Sequence, residues 1–300
     1  MNNTNKYRLF LLAALLITGL LSSCLKEDFT DCPRPFQVTV KALDADRNDI
    51  TESGAVQQVI LFVFDENQQV IDAFELTADQ VKSRKPVEIK PDYPGHKAYT
   101  VVAWGNLDEK VDFSQINTVK QMQDLYVKLK QQNGAAQAPG DLFYGSLNVP
   151  AEFGGIEAGT SQVVEITRKT ASVIITARNF PPGEEASAYS FVLRESPDTY
   201  NQNGELGGDM VGYKLTATKD KNGQLVTPIF NVFPTAGGKP FVLDVYRNGE
   251  LLYSFTKGSD GKEFTPEVGR LLNIIIDFRV DISVKVVITP WGEVYQEVEY

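Results

Sequence analysis

The pattern that most constrains this chain is a succession of short apolar segments with period-two alternation, each cut off by turn residues. Phe36, Val38, Val40 and Ala42 point one way, and Gln37, Thr39 and Lys41 the other. That spacing predicts a half-buried strand from Phe36 to Leu43. Val59-Ile60-Leu61-Phe62-Val63-Phe64 is unbroken and rich in β-branched and aromatic residues. It predicts a central strand buried on both faces. Asp65-Glu66-Asn67-Gln68 turns the chain, and Val70 to Leu76 returns as the second arm of a hairpin. Further short strands are expected at Pro86–Lys90 and Tyr99–Trp104, separated by the breaker-rich Pro91-Asp92-Tyr93-Pro94-Gly95. Asp44-x-Asp46-x-Asn48 starts like a calcium loop. Asp49 stands where that loop requires Gly and Ala55 where it requires a bidentate Glu, so a plain turn is expected.

One helix interrupts the strands. Val119, Met122, Leu125, Tyr126 and Leu129 recur at three- and four-residue spacing between Asn117 and Gln132, with Asn133-Gly134 as a stop. Leu142 to Val149 then predicts another strand. Gly154, Gly155 and Gly159 in the following stretch place a domain boundary at 158/159. Beyond it, strands are expected at Val163–Arg168, Ser172–Arg178, Tyr189–Arg194 and Tyr213–Lys219, with Glu195 to Gly212 as a long polar loop. Phe241–Arg247 and Leu251–Thr256 flank Asn248-Gly249, a strong hairpin signal. Leu271–Phe278, Ile282–Ile288 and a last segment, Val294–Tyr300, complete the series. Short strands at steady spacing predict an all-β protein with one or two short helices, built as two β-sandwiches in tandem over 36–158 and 159–300.

The N-terminus carries a different kind of information. Lys6 and Arg8 precede an apolar run from Leu9 to Leu21, broken only by Thr18 and Gly19. A basic start, a short apolar core and small residues before a cut make a secretory signal over residues 1–23. The run is too short to span a bilayer comfortably, which takes about 20 residues. Leu21-Ser22-Ser23-Cys24 resembles the lipobox of bacterial lipoproteins. That resemblance implies that the chain is cut before Cys24, that its thiol is joined to diacylglycerol and that the new amine is acylated. Only a thiol gives the thioether. Residues 24–35 then form a lipidated linker. Lys26, Glu27 and Asp28 resemble the export signal of surface lipoproteins in Bacteroidetes-type bacteria; a solvated charged linker has the same composition.

Composition narrows the function. The full chain has a net charge of −10, and removal of Lys6 and Arg8 with the signal brings it to −10 − 2 = −12. Phosphate binding rests on clustered Lys and Arg, so nucleic acid is not an expected partner. With Cys24 lipidated, Cys32 has no intrachain partner and is buried, free or paired with another chain. One Cys and the single His, His96, cannot make a Cys/His zinc site, and no metal or cofactor is expected. No Gly-x-Ser-x-Gly, His-Glu-x-x-His or phosphate loop is present, so no catalytic residue is assigned and no enzyme is expected. Trp104 and Trp291 are the residues a glycan-binding surface would use, although each ends an apolar strand and fits a core position.

Several stretches in order, taken together, resemble one family. They are the lipobox Cys24, the acidic spacer, Cys32-Pro33, the Val59 to Asp65 strand, and Tyr99 to Trp104 with Gly105-Asn106. Leu142-Phe143-Tyr144-Gly145, Arg168-Lys169-Thr170-Ala171 and Gly269-Arg270 before Leu271 to Phe278 continue the series. The family is the FimB-type fimbrial anchor lipoproteins, minor-fimbrium anchoring subunits of the Bacteroidetes fimbrillin superfamily. The resemblance covers nearly the whole mature chain. It implies two tandem transthyretin-like sandwiches, a lipid anchor in the outer membrane at the base of a fimbrium, and an influence on filament length.

The family's stalk subunits are cut after an Arg near the N-terminus and assemble by strand exchange. Cutting after Arg34 would part this chain from its lipid, so an anchor is expected to keep that segment. Val294, Val298 and Tyr300 alternate with Tyr295, Glu297 and Glu299. They form either the last strand of the second domain or a strand given to a neighbouring stalk subunit. A tip or accessory subunit, or a glycan-binding surface lipoprotein, is the alternative role.

Overall fold

A computed structural model describes residues 35–90, 95–150, 161–279 and 282–296. Its first sheet has seven strands, in the order Val70–Thr77, Gln58–Phe64, Ala98–Gly105, Phe143–Pro150, Ser161–Arg168, Phe36–Leu43 and Val87–Ile89. All neighbours run antiparallel except Phe36–Leu43 and Ser161–Arg168, which are parallel from Gln37/Ser161 to Leu43/Thr167. The period-two reading of Phe36–Leu43 holds: Phe36, Val38, Val40 and Ala42 are at most 3% exposed.

The sheet folds over on itself. Phe36 and Tyr99 lie on strands separated by two others, yet their ring centroids are 5.3 Å apart. Strands so placed in a flat sheet would be about 14 Å apart, at about 4.8 Å per step. The fold-over starts at Gly145. Phe143–Pro150 pairs with Ser161–Arg168 only at Phe143 and Tyr144, and a Cβ on Gly145 would lie 2.0 Å from the Glu165 carbonyl. Inside the fold, Val59, Leu61, Val63, Val101, Ala103, Val164 and Ile166 make one core. Val81 of the short helix Ala78–Lys82 joins it, and a Thr77/Gln80 capping box starts that helix.

Two more sheets face each other in the second half. One has the order Thr218–Lys219, Leu225–Val226, Ala171–Arg178, Arg270–Asp277 and Ser283–Pro290, with Phe230–Val232 also on Ala171–Arg178. The other runs Glu250–Phe255, Val242–Arg247, Tyr189–Asn201, Tyr126–Leu129 and Val111–Phe113, with Leu206–Leu215 on Tyr189–Asn201. Ala171–Arg178 pairs in parallel with Arg270–Asp277, so each half has one parallel pair within an otherwise antiparallel frame. Asn248 and Gly249, both at positive φ, make the expected tight hairpin.

Three expectations are corrected. Asn117–Gln132 is not a helix: it holds a three-residue 3₁₀ turn, Met122–Asp124, and the strand Tyr126–Leu129. Leu125, Val127 and Leu129 also alternate with period two, and pairing with Tyr189–Asn201 selects that period over the helical one. Glu195 to Gly212 is not a loop. Tyr189–Asn201 and Leu206–Leu215 are the arms of one long hairpin, irregular at Glu195, whose φ is 77°. Third, a boundary at 158/159 would cut Ser161–Arg168 from the first sheet. The chain passes between sheets at Lys169–Thr170.

The halves are interlocked rather than strung together. Val111–Phe113 and Tyr126–Leu129, from the first half of the sequence, extend a sheet of the second. Ile60, Phe62, Val102 and Trp104, on the reverse face of the first sheet, share one apolar cluster with Tyr200, Phe233 and Leu243.

Candidate functional site

The expected contact segment begins where Ser283–Pro290, the outer strand of the second sheet, ends. Gly292 at φ 79° turns the chain, and the Glu293 amide donates to the Pro290 carbonyl at 3.1 Å. Residues 291–296 lie in no strand. Leu272, Ile274 and Ile276 face the core, so Asn273 points to the opposite face. There its Oδ1 accepts the Tyr295 amide at 2.9 Å, while its Nδ2 donates to the Val287 carbonyl and to Thr289 Oγ1. Lys285 Nζ donates to the Tyr295 hydroxyl at 2.9 Å and lies 4.7 Å from the ring centroid. Tyr295 thus holds the segment down, and Val294 beside it is 44% exposed.

The turn before it sits on the joint between the sheets. Arg168 ends the first sheet and is 8% exposed. Its Nε donates to both carboxylate oxygens of Asp141, at 3.0 and 2.9 Å. Its guanidinium lies between Phe143 at 5.1 Å and Trp291 at 4.6 Å. Burial pushes the Asp141 carboxyl up to about 6, against the opposing pull of Arg168. Lys169 follows, with Nζ 5.5 Å from the Tyr144 ring and 5.2 Å from that of Tyr200, and burial draws its pKa down. The Tyr200 hydroxyl donates to the Lys169 carbonyl. Gly269 donates its amide to Thr170, and Arg270 pairs with Asp46 of the Asp44–Asn48 turn.

Cys24, the lipobox residues Leu21, Ser22 and Ser23, and Lys26, Glu27 and Asp28 fall outside the described residues, as do Cys32, Val298 and Tyr300. Of the expected contact residues only Val294 is placed, and it is exposed. The sequence reading missed Asn273 and Tyr295 as the fastening. A lone Asn inside an apolar strand is the signal that could have found it. Trp104 is 2% exposed and packs on Tyr144 and Tyr200 at 4.8 and 6.0 Å, so it offers no face to a sugar. Trp291 is half-buried against Arg168.

The model of the family "Fimbrillin-A associated anchor proteins Mfa1 and Mfa2" matches residues 29–297. The chain belongs to the Mfa2 family. Full-length similarity agrees. The chain is 42% identical over 308 aligned positions to "Major fimbrium anchoring subunit FimB" of Porphyromonas gingivalis, covering 100% of both. These relatives are major-fimbrium subunits, where the sequence resemblance named the minor fimbrium. Among solved structures, the fimbrial anchor protein Mfa2 of Porphyromonas gingivalis superposes with a TM-score of 0.65 at 16% identity. That match covers 87% of this chain and 98% of that one. A DUF1812 protein of Bacteroides thetaiotaomicron, named as a candidate polysaccharide-binding protein, gives 0.68 at 17% identity over 88% and 99%. At such identities the likeness is one of fold.

Proposed function

We propose that this chain is a lipid-anchored fimbrial subunit that ties the base of a filament to the outer membrane and limits filament length. The observation that carries the reading is the 42% identity to FimB anchoring subunits, in an alignment that covers the whole chain, the signal region included. In this reading Cys24 carries the lipid, with Leu21, Ser22 and Ser23 as the recognition segment. Lys26, Glu27 and Asp28 direct the protein to the cell surface. Several acyl chains on one residue give a stable anchor where one chain would not.

A stalk subunit is the partner. Val294, Val298 and Tyr300 are the proposed contact, adding as a strand to an open sheet of that neighbour. Support comes from residues 291–296, which lie outside any strand and are held by Trp291 over Arg168, by Glu293 on the preceding turn and by Tyr295 on Asn273 and Lys285. The chain must also keep Phe36–Leu43, which is bonded on both sides within the first sheet.

The test is intact mass and N-terminal analysis of protein taken from outer membranes. The expected species runs from acylated Cys24 to Tyr300. A lipid-free chain starting after Arg34 would overturn the anchor reading. One starting after Arg47 would also lack Phe36–Leu43, leaving the open groove of a polymerising or tip subunit.

A further inference from the structure

Asp65 follows Gln58–Phe64 and opens the turn into Val70–Thr77. Its Oδ1 accepts the amides of Asn67 at 2.9 Å and Gln69 at 2.7 Å, which fixes the carboxylate. Asp65 is only 8% exposed, yet its Oδ2 has no hydrogen bond among the described residues. That oxygen faces His96 Nδ1 at 3.8 Å. The same nitrogen is 3.1 Å from Glu66 Oε2. One ligand atom from each of the three residues lies within 4.8 Å of the others. The His96 ring stands edge-on to buried Tyr99, at 5.7 Å and 82°, which sets its plane.

A His–Glu ion pair explains the 3.1 Å contact. It leaves Asp65 Oδ2 aimed at the same nitrogen from 3.8 Å, beyond hydrogen-bond range. A cation explains both. In a tetrahedral site with bonds of about 2.0–2.1 Å, neighbouring ligand atoms lie about 3.3 Å apart. The observed 3.1 and 3.8 Å lie on either side of that value.

The geometry points to a divalent-cation site formed by Asp65, Glu66 and His96, of the class that takes Zn²⁺ rather than Ca²⁺ or Mg²⁺. The imidazole decides the class, because the hard cations prefer all-oxygen shells. Two carboxylates neutralise the ion, and three protein ligands leave a fourth position for water. Counting only Cys and His missed the site because the carboxylates supply two of the three ligands. Occupancy ties the turn after Gln58–Phe64 to the segment entering Ala98–Gly105, its neighbour in the sheet.

The test uses the full, tag-free chain stripped of metal, titrated calorimetrically with ZnCl₂ and separately with CaCl₂. One Zn²⁺ per chain is expected, with a rise in Tm and no matching response to Ca²⁺. His96→Ala and His96→Gln should each lose that site and the Tm rise, Glu66→Gln should weaken it, and Cys32→Ser should leave it intact. Circular dichroism verifies that each variant is folded, and the two His96 replacements guard against failure of either one. Unchanged stoichiometry and affinity in a folded His96 variant would overturn the site. So would the absence of saturable Zn²⁺ uptake by the wild-type chain, or equal uptake of Ca²⁺.

Discussion

Arg168→Met should destabilise the protein by an amount that depends on pH. The substitution keeps a flexible apolar stem and removes the charge that offsets Asp141. Burial already holds that carboxyl at about 6 with the arginine present, so without it the value rises further. Each further unit costs about 1.4 kcal/mol at pH 8. Loss of the guanidinium between Phe143 and Trp291 adds about 1–2 kcal/mol. The expected deficit at pH 8 is about 3–5 kcal/mol, the range for breaking a buried pair. At pH 5 the carboxyl is mostly protonated in both proteins, and only the aromatic contribution of about 1–2 kcal/mol remains.

The wild type carries its own signature. Its folded-state value lies above the unfolded value of about 3.9, so the folded chain holds this proton more tightly. That stabilisation is complete below about pH 4 and is lost as pH rises through 6, about 3 kcal/mol in all. Urea unfolding followed by circular dichroism at pH 5 and pH 8 measures both effects. The double variant Arg168→Met with Asp141→Asn should recover most of the pH 8 loss. A deficit for Arg168→Met that is equal at the two pH values would refute the reasoning.

Three further outcomes are expected. Gly145→Val puts a Cβ 2.0 Å from a carbonyl oxygen where the first sheet folds over, and should cost at least about 3 kcal/mol in denaturant unfolding. Tyr213→Phe removes the hydroxyl that accepts the Phe233 amide at 2.9 Å and meets buried Ser196, so thermal or urea unfolding should show a loss of about 1–3 kcal/mol. Deleting Val294–Tyr300 should leave a folded, lipidated protein that no longer retains filaments on cells, scored by circular dichroism and by the fimbriae shed into the medium. An unfolded product would count against a separable contact segment.

Much of the fold was legible where one local rule decided the outcome. Phe36–Leu43 alternates because one face is buried, and Asn248-Gly249 turns because both residues tolerate positive φ. Val59–Phe64 is continuous because both of its faces are covered. The failures came where a partner strand decided. Tyr126–Leu129 fits a helical period and a strand period equally well, and only Tyr189–Asn201 beside it settles the choice. Leu206–Leu215 has no buried residue before Tyr213 and holds Gly207, Gly208 and Gly212, so its pairing leaves little trace in side-chain pattern. The candidate site divides the same way. The expected lipid attachment motif is a local sequence, but it lies outside the described residues and the fold does not test it. Tyr295 on Asn273, or Trp291 over Arg168, joins residues far apart in the chain and needs the fold.

The parallel pairing of Phe36–Leu43 with Ser161–Arg168 bears on how this molecule meets tension. A chain tethered ahead of Phe36 and pulled through its second half is drawn from the start of one strand and the end of the other, at opposite ends of the pair. The force then runs along the strands, and the seven register positions from Gln37/Ser161 to Leu43/Thr167 must slip together. Antiparallel neighbours drawn from a shared end would unzip one position at a time at far lower force. In a chain held that way, the same pairing that closes the first sheet would place Phe36–Leu43 in shear, the direction in which a sheet resists rupture best.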